Sequence, residues 1–175
     1  MKKNYLIQAG VILTIFFIGL LFYNKDFFSV KDERIQSVLS SKNIQGFAVH
    51  DSVSTEKYLI VNFWASWCPP CIQEIPSLSE FVQKNTNYKV VAISQDEELA
   101  EIKSILKTFP NLTTSRFEIV HDQTKSFSRL FKVEKLPETF IYEFQTGRIL
   151  QVSGSIDWLS QETQNQLDQF FKTKN

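Results

Sequence analysis

The chain has 175 residues, which is enough for one domain and a short additional segment. Its 19 acidic and 19 basic residues balance, so the composition gives no indication of a polyanionic partner such as a nucleic acid. Cys68 and Cys71 are the two cysteines. A disulfide between them would close too small a loop to stabilise a domain much, which excludes a structural disulfide framework.

The first predicted element is an apolar helix near the N-terminus. Residues 5–23 carry no charge and follow Lys2 and Lys3. As a helix they would span roughly 28 Å, close to the thickness of a bilayer's hydrocarbon core. The run is longer than the apolar region of most signal peptides, and no small-x-small cleavage site follows it. We therefore predict a retained transmembrane anchor at residues 1–24, with a cleaved signal peptide as the alternative.

The charges that flank this segment predict its orientation. Lys2 and Lys3 favour an N-terminus on the cytoplasmic side, which places the rest of the chain outside the cytoplasm. Residues 25–43 are mostly polar and are predicted to form a tether, with a short helix around residues 32–39. The folded domain is predicted to occupy residues 44–175.

The domain begins with a weak strand candidate at residues 46–49. Residues 58–64 form a nearly continuous apolar run, which is typical of a strand that is buried on both faces. Apolar residues at helical spacing predict a helix over residues 69–84. The remaining predicted elements are a strand at 88–93, a helix at 97–109 capped by Ser94 or Asp96, a strand at 117–120, a helix at 124–131, a hairpin of strands 139–144 and 148–152, and a helix at 157–172.

The order of these elements predicts an α/β fold. It alternates strand and helix three times and ends with two strands and a helix, which indicates a mixed central sheet with helices on both faces. Right-handed crossovers would place the start of helix 69–84 at the carboxyl edge of strand 58–64. Cys68 lies at that edge.

The position of Cys68 at a helix start suits a nucleophilic thiolate. The helix dipole and the free amides of the first turn lower the pKa of such a cysteine. Pro69 and Pro70 have no amide N–H, so the amide of Cys71 is the nearest local donor to the Cys68 sulfur. We infer a thiolate that is stabilised less than in a motif with two central amides, and therefore a reducing dithiol.

Cys71 falls inside the first helical turn and is expected to be shielded, with Cys68 as the exposed thiol. Cys71 would attack a mixed disulfide formed on Cys68, and that step needs an acceptor for the Cys71 proton. Glu74 is the nearest acid in sequence. Two roles fit Glu74 equally well. It could accept the Cys71 proton, or it could be an ordinary acid in the first turn that complements the helix dipole.

The segment from Trp64 to Cys71, followed by Glu74 and Pro76, resembles the active-site segment of thioredoxin-fold proteins. More narrowly it resembles the membrane-anchored TlpA/ResA/CcmG (DsbE) group of bacterial thiol-disulfide oxidoreductases. The similarity extends to residues 137–140 and 154–158, and it covers roughly residues 45–172. It implies a thioredoxin fold in which Cys68 is the attacking thiol and Cys71 the resolving thiol.

The resemblance also implies roles for residues around the pair. Pro137 would follow a cis peptide bond beside the disulfide and, with Trp67 and Leu136, would bind the substrate chain. Glu74 would tune the cysteine pKa values. Asn62 stands where ordinary thioredoxins carry a buried aspartate, which shifts the proton-handling role toward Glu74.

The partners implied by the resemblance are exported proteins with disulfides, such as apocytochrome c, and a membrane electron donor of the DsbD/CcdA type. A single-pass, monomeric protein of the bacterial cytoplasmic membrane is expected, with its catalytic domain on the extracytoplasmic side and with no cofactor or metal. The Pro69-Pro70 pair departs from the Glu-Pro or Val-Pro that is commoner in the group, so the group's reduction potentials do not transfer.

Three other functions share some or all of this pattern. A disulfide-forming oxidase carries every one of these motifs. A copper chaperone of this fold uses two cysteines and a histidine, for which His50 and His121 are the candidates, but its cysteines usually have three intervening residues rather than two. A peroxidase is disfavoured because the threonine-rich cysteine loop of peroxiredoxins is absent from the sequence.

Overall fold

The computed structural model describes residue 30 and residues 32–52, 56–112 and 114–172. The anchor predicted at residues 1–24 lies outside these ranges. None of the helices within them combines the length and the apolar character that a membrane span requires.

The centre of the fold is a five-stranded mixed sheet. Its strands are β1 (Tyr58–Trp64), β2 (Tyr88–Ser94), β3 (Phe117–His121), β4 (Glu138–Glu143) and β5 (Ile149–Ser153). They lie in the order β3-β2-β1-β4-β5, with β1, β2 and β3 parallel and with β4 antiparallel to both of its neighbours. Every residue of the central strand β1 is buried, as its apolar run predicted.

Five helices of the described ranges surround the sheet. They are α1 (Glu33–Leu39), α2 (Pro69–Lys84), α3 (Leu99–Thr108), α4 (Ser126–Phe131) and α5 (Gln161–Lys172). Short 3₁₀ turns lie at Val49–Ser52 and Pro110–Leu112. The strand and helix order is the predicted one from β1 to α5, and the domain has the thioredoxin fold.

The alternation of side chains along β1 supplies two hydrophobic layers. Ile60 and Trp64 face the layer that contains Ile75 of α2 and Leu167 of α5. Phe63 points to the opposite face, where its ring lies 5.2 Å from that of Phe131 in α4. Helices therefore cover both faces, as expected. Each fully buried side chain of this size contributes roughly 1.5–3 kcal/mol of burial free energy.

Three predictions of local structure are wrong. Residues 46–49 form no strand, because Ala48 makes only an isolated bridge to Lys42 before a 3₁₀ turn begins. The last helix begins at Gln161 rather than at residue 157, so Trp158 lies in the preceding turn. Helix α3 begins at Leu99, and Asp96 does not cap it but is buried elsewhere.

The short helix α1 lies in the segment 25–43 that was predicted to be a tether. Asp32 caps it by accepting hydrogen bonds from the amides of Arg34 and Ile35, at 2.9 and 3.3 Å. Ile35 and Val38 are fully buried. The compact unit accordingly begins at Asp32.

Candidate active site

The cysteines lie where β1 passes into α2. Cys68 is the N-cap of α2, and Pro69 and Pro70 occupy its first two positions, where a missing N–H costs no helical hydrogen bond. The amide of Cys68 donates to the carbonyl of Ala65 at 3.2 Å, which closes a turn between strand and helix. Cys68 and Cys71 form a disulfide, with their Cα atoms 5.3 Å apart.

One local amide faces the Cys68 sulfur. The N–H of Cys71 donates to Cys68 Sγ at 3.3 Å, which is the donor that the sequence indicated. Because Pro69 and Pro70 lack an N–H, the first turn of α2 supplies no amide from either central position. The geometry therefore matches the weakly stabilised thiolate that the proline pair predicts.

The expected exposure of Cys68 is wrong for the disulfide form. Cys68 is 5% exposed and Cys71 is 1% exposed, so both sulfurs are largely covered. The preceding residue, Trp67, is 63% exposed. A large apolar side chain at the surface beside a barely accessible disulfide is a feature that a polypeptide substrate can contact.

Glu74 is buried one turn along α2 and is not a solvated first-turn acid. Its Oε1 accepts a 2.7 Å hydrogen bond from the indole N–H of Trp158. Burial raises the pKa of Glu74 to about 7, while the hydrogen bonds from Trp158 and from the backbone of Ile156 oppose that rise. Oε2 has no hydrogen bond of good geometry within the described ranges. Because its pKa is about 7, the carboxyl can exchange a proton near neutral pH.

Asn62 occupies the middle of β1 on the sheet face that α2 covers. It is 1% exposed, and its Nδ2 donates to Oγ1 of Thr139 on β4 at 2.9 Å. Its Oδ1 accepts no hydrogen bond from the part of the chain that the structure describes. Trp64 Nε1 lies on the same face and donates no hydrogen bond to a described residue. Unpartnered polar atoms therefore line this face beneath the cysteine helix.

The peptide bond between Leu136 and Pro137 is cis, as the resemblance implied. The carbonyl of Pro137 accepts a 2.9 Å hydrogen bond from the amide of Gly154, whose φ of +88° favours glycine. The next residue, Glu138, pairs with Phe63 near the carboxyl end of β1. This register places Pro137 at the edge of the sheet from which the cysteine loop leaves.

Two residues of this region were not identified from the sequence. One is Trp158, which was included in the similar segment 154–158 without a role of its own. The other is Asp96, which was considered as a cap of the following helix and is instead fully buried. Its carboxylate accepts hydrogen bonds from Ser66 in the cysteine loop and from Ser94. No local pattern reveals this burial, because Glu97 and Glu98 continue the acidic run.

The two histidines do not join the cysteines in a metal site within the described ranges, where no group of three or more potential ligands occurs. Nε2 of His121 donates to the carbonyl of Asp96 at 3.0 Å. His50 lies in the 3₁₀ turn Val49–Ser52.

Comparison with known protein families decides the assignment. The model of the AhpC/TSA family matches residues 28–149, which is more than half of the chain. The chain belongs to the AhpC/TSA family. The Cys68–Cys71 disulfide at the start of α2, together with the relatives described next, makes the protein a thiol-disulfide oxidoreductase.

Individual relatives of this AhpC/TSA family member carry the same activity in their names. It is 25% identical over 182 residues to the thiol-disulfide oxidoreductase ResA of Bacillus thuringiensis subsp. konkukian, and the match covers 98% of each chain. A structure from Chlorobium tepidum that is assigned as a thiol:disulfide interchange protein DsbE is 25% identical, with a TM-score of 0.60, and covers 72% of this chain and 87% of that one.

A third relative supports the fold alone. It is a secreted disulfide oxidoreductase of Mycobacterium tuberculosis, homologous to DsbE of Escherichia coli. It is 22% identical, with a TM-score of 0.60, and the match covers 77% of this chain and 96% of the other.

Proposed function

We propose that this protein is an extracytoplasmic protein-disulfide reductase that acts on exported proteins, with apocytochrome c as the leading substrate class. The observation that carries the proposal is the environment of Cys68 Sγ, to which the first turn of α2 offers the Cys71 amide and no other. A thiolate with so little hydrogen bonding is a strong electron donor, because the reduced form gains little stabilisation.

The reaction begins with the dithiol form of the pair. The Cys68 thiolate attacks one sulfur of a substrate disulfide, the substrate S–S bond breaks, and the other substrate sulfur leaves and takes up a proton. The Cys71 thiol then loses its proton, and its thiolate attacks Cys68 Sγ. The second substrate sulfur leaves as a thiol, and the Cys68–Cys71 disulfide forms. The substrate gains two electrons and two protons.

Glu74 is the proposed acceptor of the Cys71 proton. It lies one turn along the same helix, and its pKa of about 7 matches a base that works near neutral pH. Asn62 is proposed to assist from β1, where its unpartnered Oδ1 offers a neutral acceptor in place of a carboxylate. A neutral residue at this position leaves Glu74 as the titrating group.

The substrate chain is proposed to bind over Trp67, Leu136 and Pro137. Trp67 supplies an exposed aromatic surface directly before Cys68, and Leu136 is half-buried against the core. Pro137 precedes β4 at the edge of the sheet where the cysteine loop lies. These positions would hold an extended substrate segment across the disulfide.

The proposal that the domain lies outside the cytoplasm rests on the apolar segment near the N-terminus. An anchor at residues 1–24 would hold the domain at the outer side of the bacterial cytoplasmic membrane, through a connection that begins at residue 25. A membrane dithiol protein of the DsbD/CcdA type would return two electrons to the Cys68–Cys71 disulfide after each cycle.

The decisive measurement is the equilibrium of the cysteine pair with a redox buffer. We expect a potential nearer to around −270 mV, as in thioredoxin, than to around −120 mV, as in DsbA. A value above about −180 mV would contradict the reductase and favour the disulfide-forming oxidase.

The substrate is identified by trapping. A Cys71→Ser variant retains mixed disulfides on Cys68, and a Cys68→Ser/Cys71→Ser variant is the matched control. Recovery of apocytochrome c supports the proposal, whereas recovery of envelope enzymes alone contradicts that substrate. Copper titration of the reduced protein with and without His121→Ala tests the metal-binding alternative.

A further inference from the structure

Asp96 is a buried carboxylate at the end of β2. It is fully buried, and within the described ranges no lysine or arginine forms an ion pair with it. Its oxygens instead accept hydrogen bonds from the Ser66 amide at 2.9 Å, from the Ser66 hydroxyl at 2.7 Å and from the Ser94 hydroxyl at 2.7 Å. A carboxylate is stable in a protein interior only where such donors satisfy its oxygens.

The donors show what Asp96 holds in place. Ser66 lies in the loop between β1 and α2, two residues before Cys68. The neighbouring amide of Gln95 donates to the carbonyl of Trp64 at 2.7 Å, at the start of the same loop. Residues 95 and 96 therefore fasten the loop at two points. The turn from Ala65 to Cys68 then sets the position of the attacking sulfur.

Asp96 is itself held from the other side. His121 Nε2 donates to the Asp96 carbonyl at 3.0 Å, and Lys125 Nζ contacts the carbonyls of Gln95 and Asp96. Asp122 Oδ2 accepts from Gln95 Nε2 at 3.1 Å. The cysteine loop is thus connected through Asp96 to the end of β3 and the start of α4.

We propose that Asp96 is a positioning residue for Cys68. Through Ser66, its carboxylate keeps the loop in the conformation in which Cys68 caps α2 and lies in line for attack by Cys71. A carboxylate suits this role because both of its oxygens only accept, whereas an asparagine amide would present a donor to one of the serines. The proposal deepens the thiol-exchange function and rests on it.

The step that reports on this role is the resolution of a mixed disulfide. The reduced protein is loaded with thionitrobenzoate on Cys68, and the rate at which Cys71 displaces this group is followed by its absorbance. In Asp96→Asn we expect this rate to fall roughly ten- to hundredfold, since small displacements of reacting groups have effects of that size. Asp96→Ala should reduce the rate at least as much. Ser66→Ala, which retains the amide donor, should have a smaller effect.

A matched control separates positioning from general loss of stability. Glu143 is another buried carboxylate that accepts several hydrogen bonds, but it lies at the far end of β4, where it pairs with Tyr58. Glu143→Gln should destabilise the fold and leave the resolution rate within twofold. All rates are measured in conditions where circular dichroism shows the variant to be folded. If Asp96→Ala does not fold, Asp96→Asn and Ser66→Ala provide the test.

Three outcomes overturn the proposal. They are a resolution rate within twofold of the parent in folded Asp96→Asn, an equal loss in Glu143→Gln, and fully additive effects of Asp96→Asn and Ser66→Ala in the double variant. Non-additive effects support it, because both changes would break the same connection. The assay uses a small aromatic disulfide and no protein substrate. If the proposed substrate or the proposed reducing activity is wrong, the trapping experiment and the reduction potential will show it, whereas the resolution rate will not change.

Discussion

The indole N–H of Trp158 donates a 2.7 Å hydrogen bond to Oε1 of Glu74, and so joins the turn before α5 to the helix that carries both cysteines. Both residues are buried, at 0% and 3% exposure. The pair places a carboxyl that titrates near neutral pH one turn after Cys71. The effects of this hydrogen-bonded pair on stability can be measured without any substrate.

The first prediction concerns the stability of the oxidised protein between pH 4.5 and about 7. Burial raises the pKa of Glu74 from 4.5 to about 7, so the folded chain binds more protons than the unfolded chain in this range. The stabilisation is complete below pH 4.5 and is lost as the pH rises through 7. The loss amounts to about 3 kcal/mol.

A Glu74→Gln variant should lack this component of the pH dependence. The measurement is the free energy of unfolding by urea at a series of pH values, taken as the difference between variant and parent. Glu80→Gln on the exposed side of α2 is the control and should retain the parent's profile. An unchanged profile in Glu74→Gln would show that Glu74 does not titrate in this range.

The second prediction concerns the hydrogen bond itself. Trp158→Phe removes the N–H that lowers the pKa of Glu74, so this pKa should move above about 7. The fall in stability should still begin near pH 4.5, which the unfolded chain sets, and should extend to higher pH as far as the pKa of Glu74 rises. The unpartnered Oε1 should also cost about 1–3 kcal/mol of unfolding free energy. The same urea series detects both effects, and Trp67→Phe at the exposed tryptophan should show neither.

The third prediction concerns the proline pair. Pro70→Ala restores an amide in the first turn of α2, where it can donate to the Cys68 thiolate. The pKa of Cys68 should fall, and the reduction potential should become less negative by roughly 20–40 mV. Equilibration with glutathione measures the potential, and the pH dependence of iodoacetamide alkylation measures the pKa. A more negative potential would contradict the proposed role of the prolines.

The fourth prediction concerns an ion pair distant from the cysteines. Lys89 is fully buried near the start of β2, and its Nζ donates to Glu118 Oε1 at 2.6 Å and to the carbonyl of Ser115 at 2.9 Å. Lys89→Met leaves the Glu118 charge buried, with Asn43 as its remaining hydrogen-bond donor among the described residues. The loss of unfolding free energy should be about 3–5 kcal/mol.

The companion variant distinguishes a lost ion pair from a disturbed core. Lys89→Met/Glu118→Leu removes both charges and should recover most of the stability, because no buried charge then lacks a partner. Resolution of a mixed disulfide should remain at the parent's rate in both variants, since Lys89 lies at the opposite end of β2 from the cysteine loop. A loss below 1 kcal/mol in the single variant would show that the site tolerates an unpaired carboxylate.

Local patterns in the sequence were sufficient to predict where the cysteine pair lies in the fold. The apolar run of β1 and the helical spacing after Cys68 placed the pair at a strand-to-helix junction, and the missing amides of Pro69 and Pro70 identified Cys71 as the local donor. The hairpin of β4 and β5 was predicted as well, and the positive φ of Gly147 in its turn suits glycine. These features depend on residues that are close in sequence, so periodicity and turn chemistry predict them.

The environment of the site depended on tertiary contacts. Glu74 could equally have been a solvated acid until Trp158, 84 residues away, was found against it in the core. Asp96 is followed by two more acidic residues, and no local pattern indicates its burial. Ser66, in a loop 30 residues away, nevertheless donates a hydrogen bond to its carboxylate. The sequence alone therefore determined which two sulfurs react and at which end of the sheet. The tertiary structure decided which carboxylates surround them, because desolvation and hydrogen bonding of a buried charge are set by residues that only folding brings together.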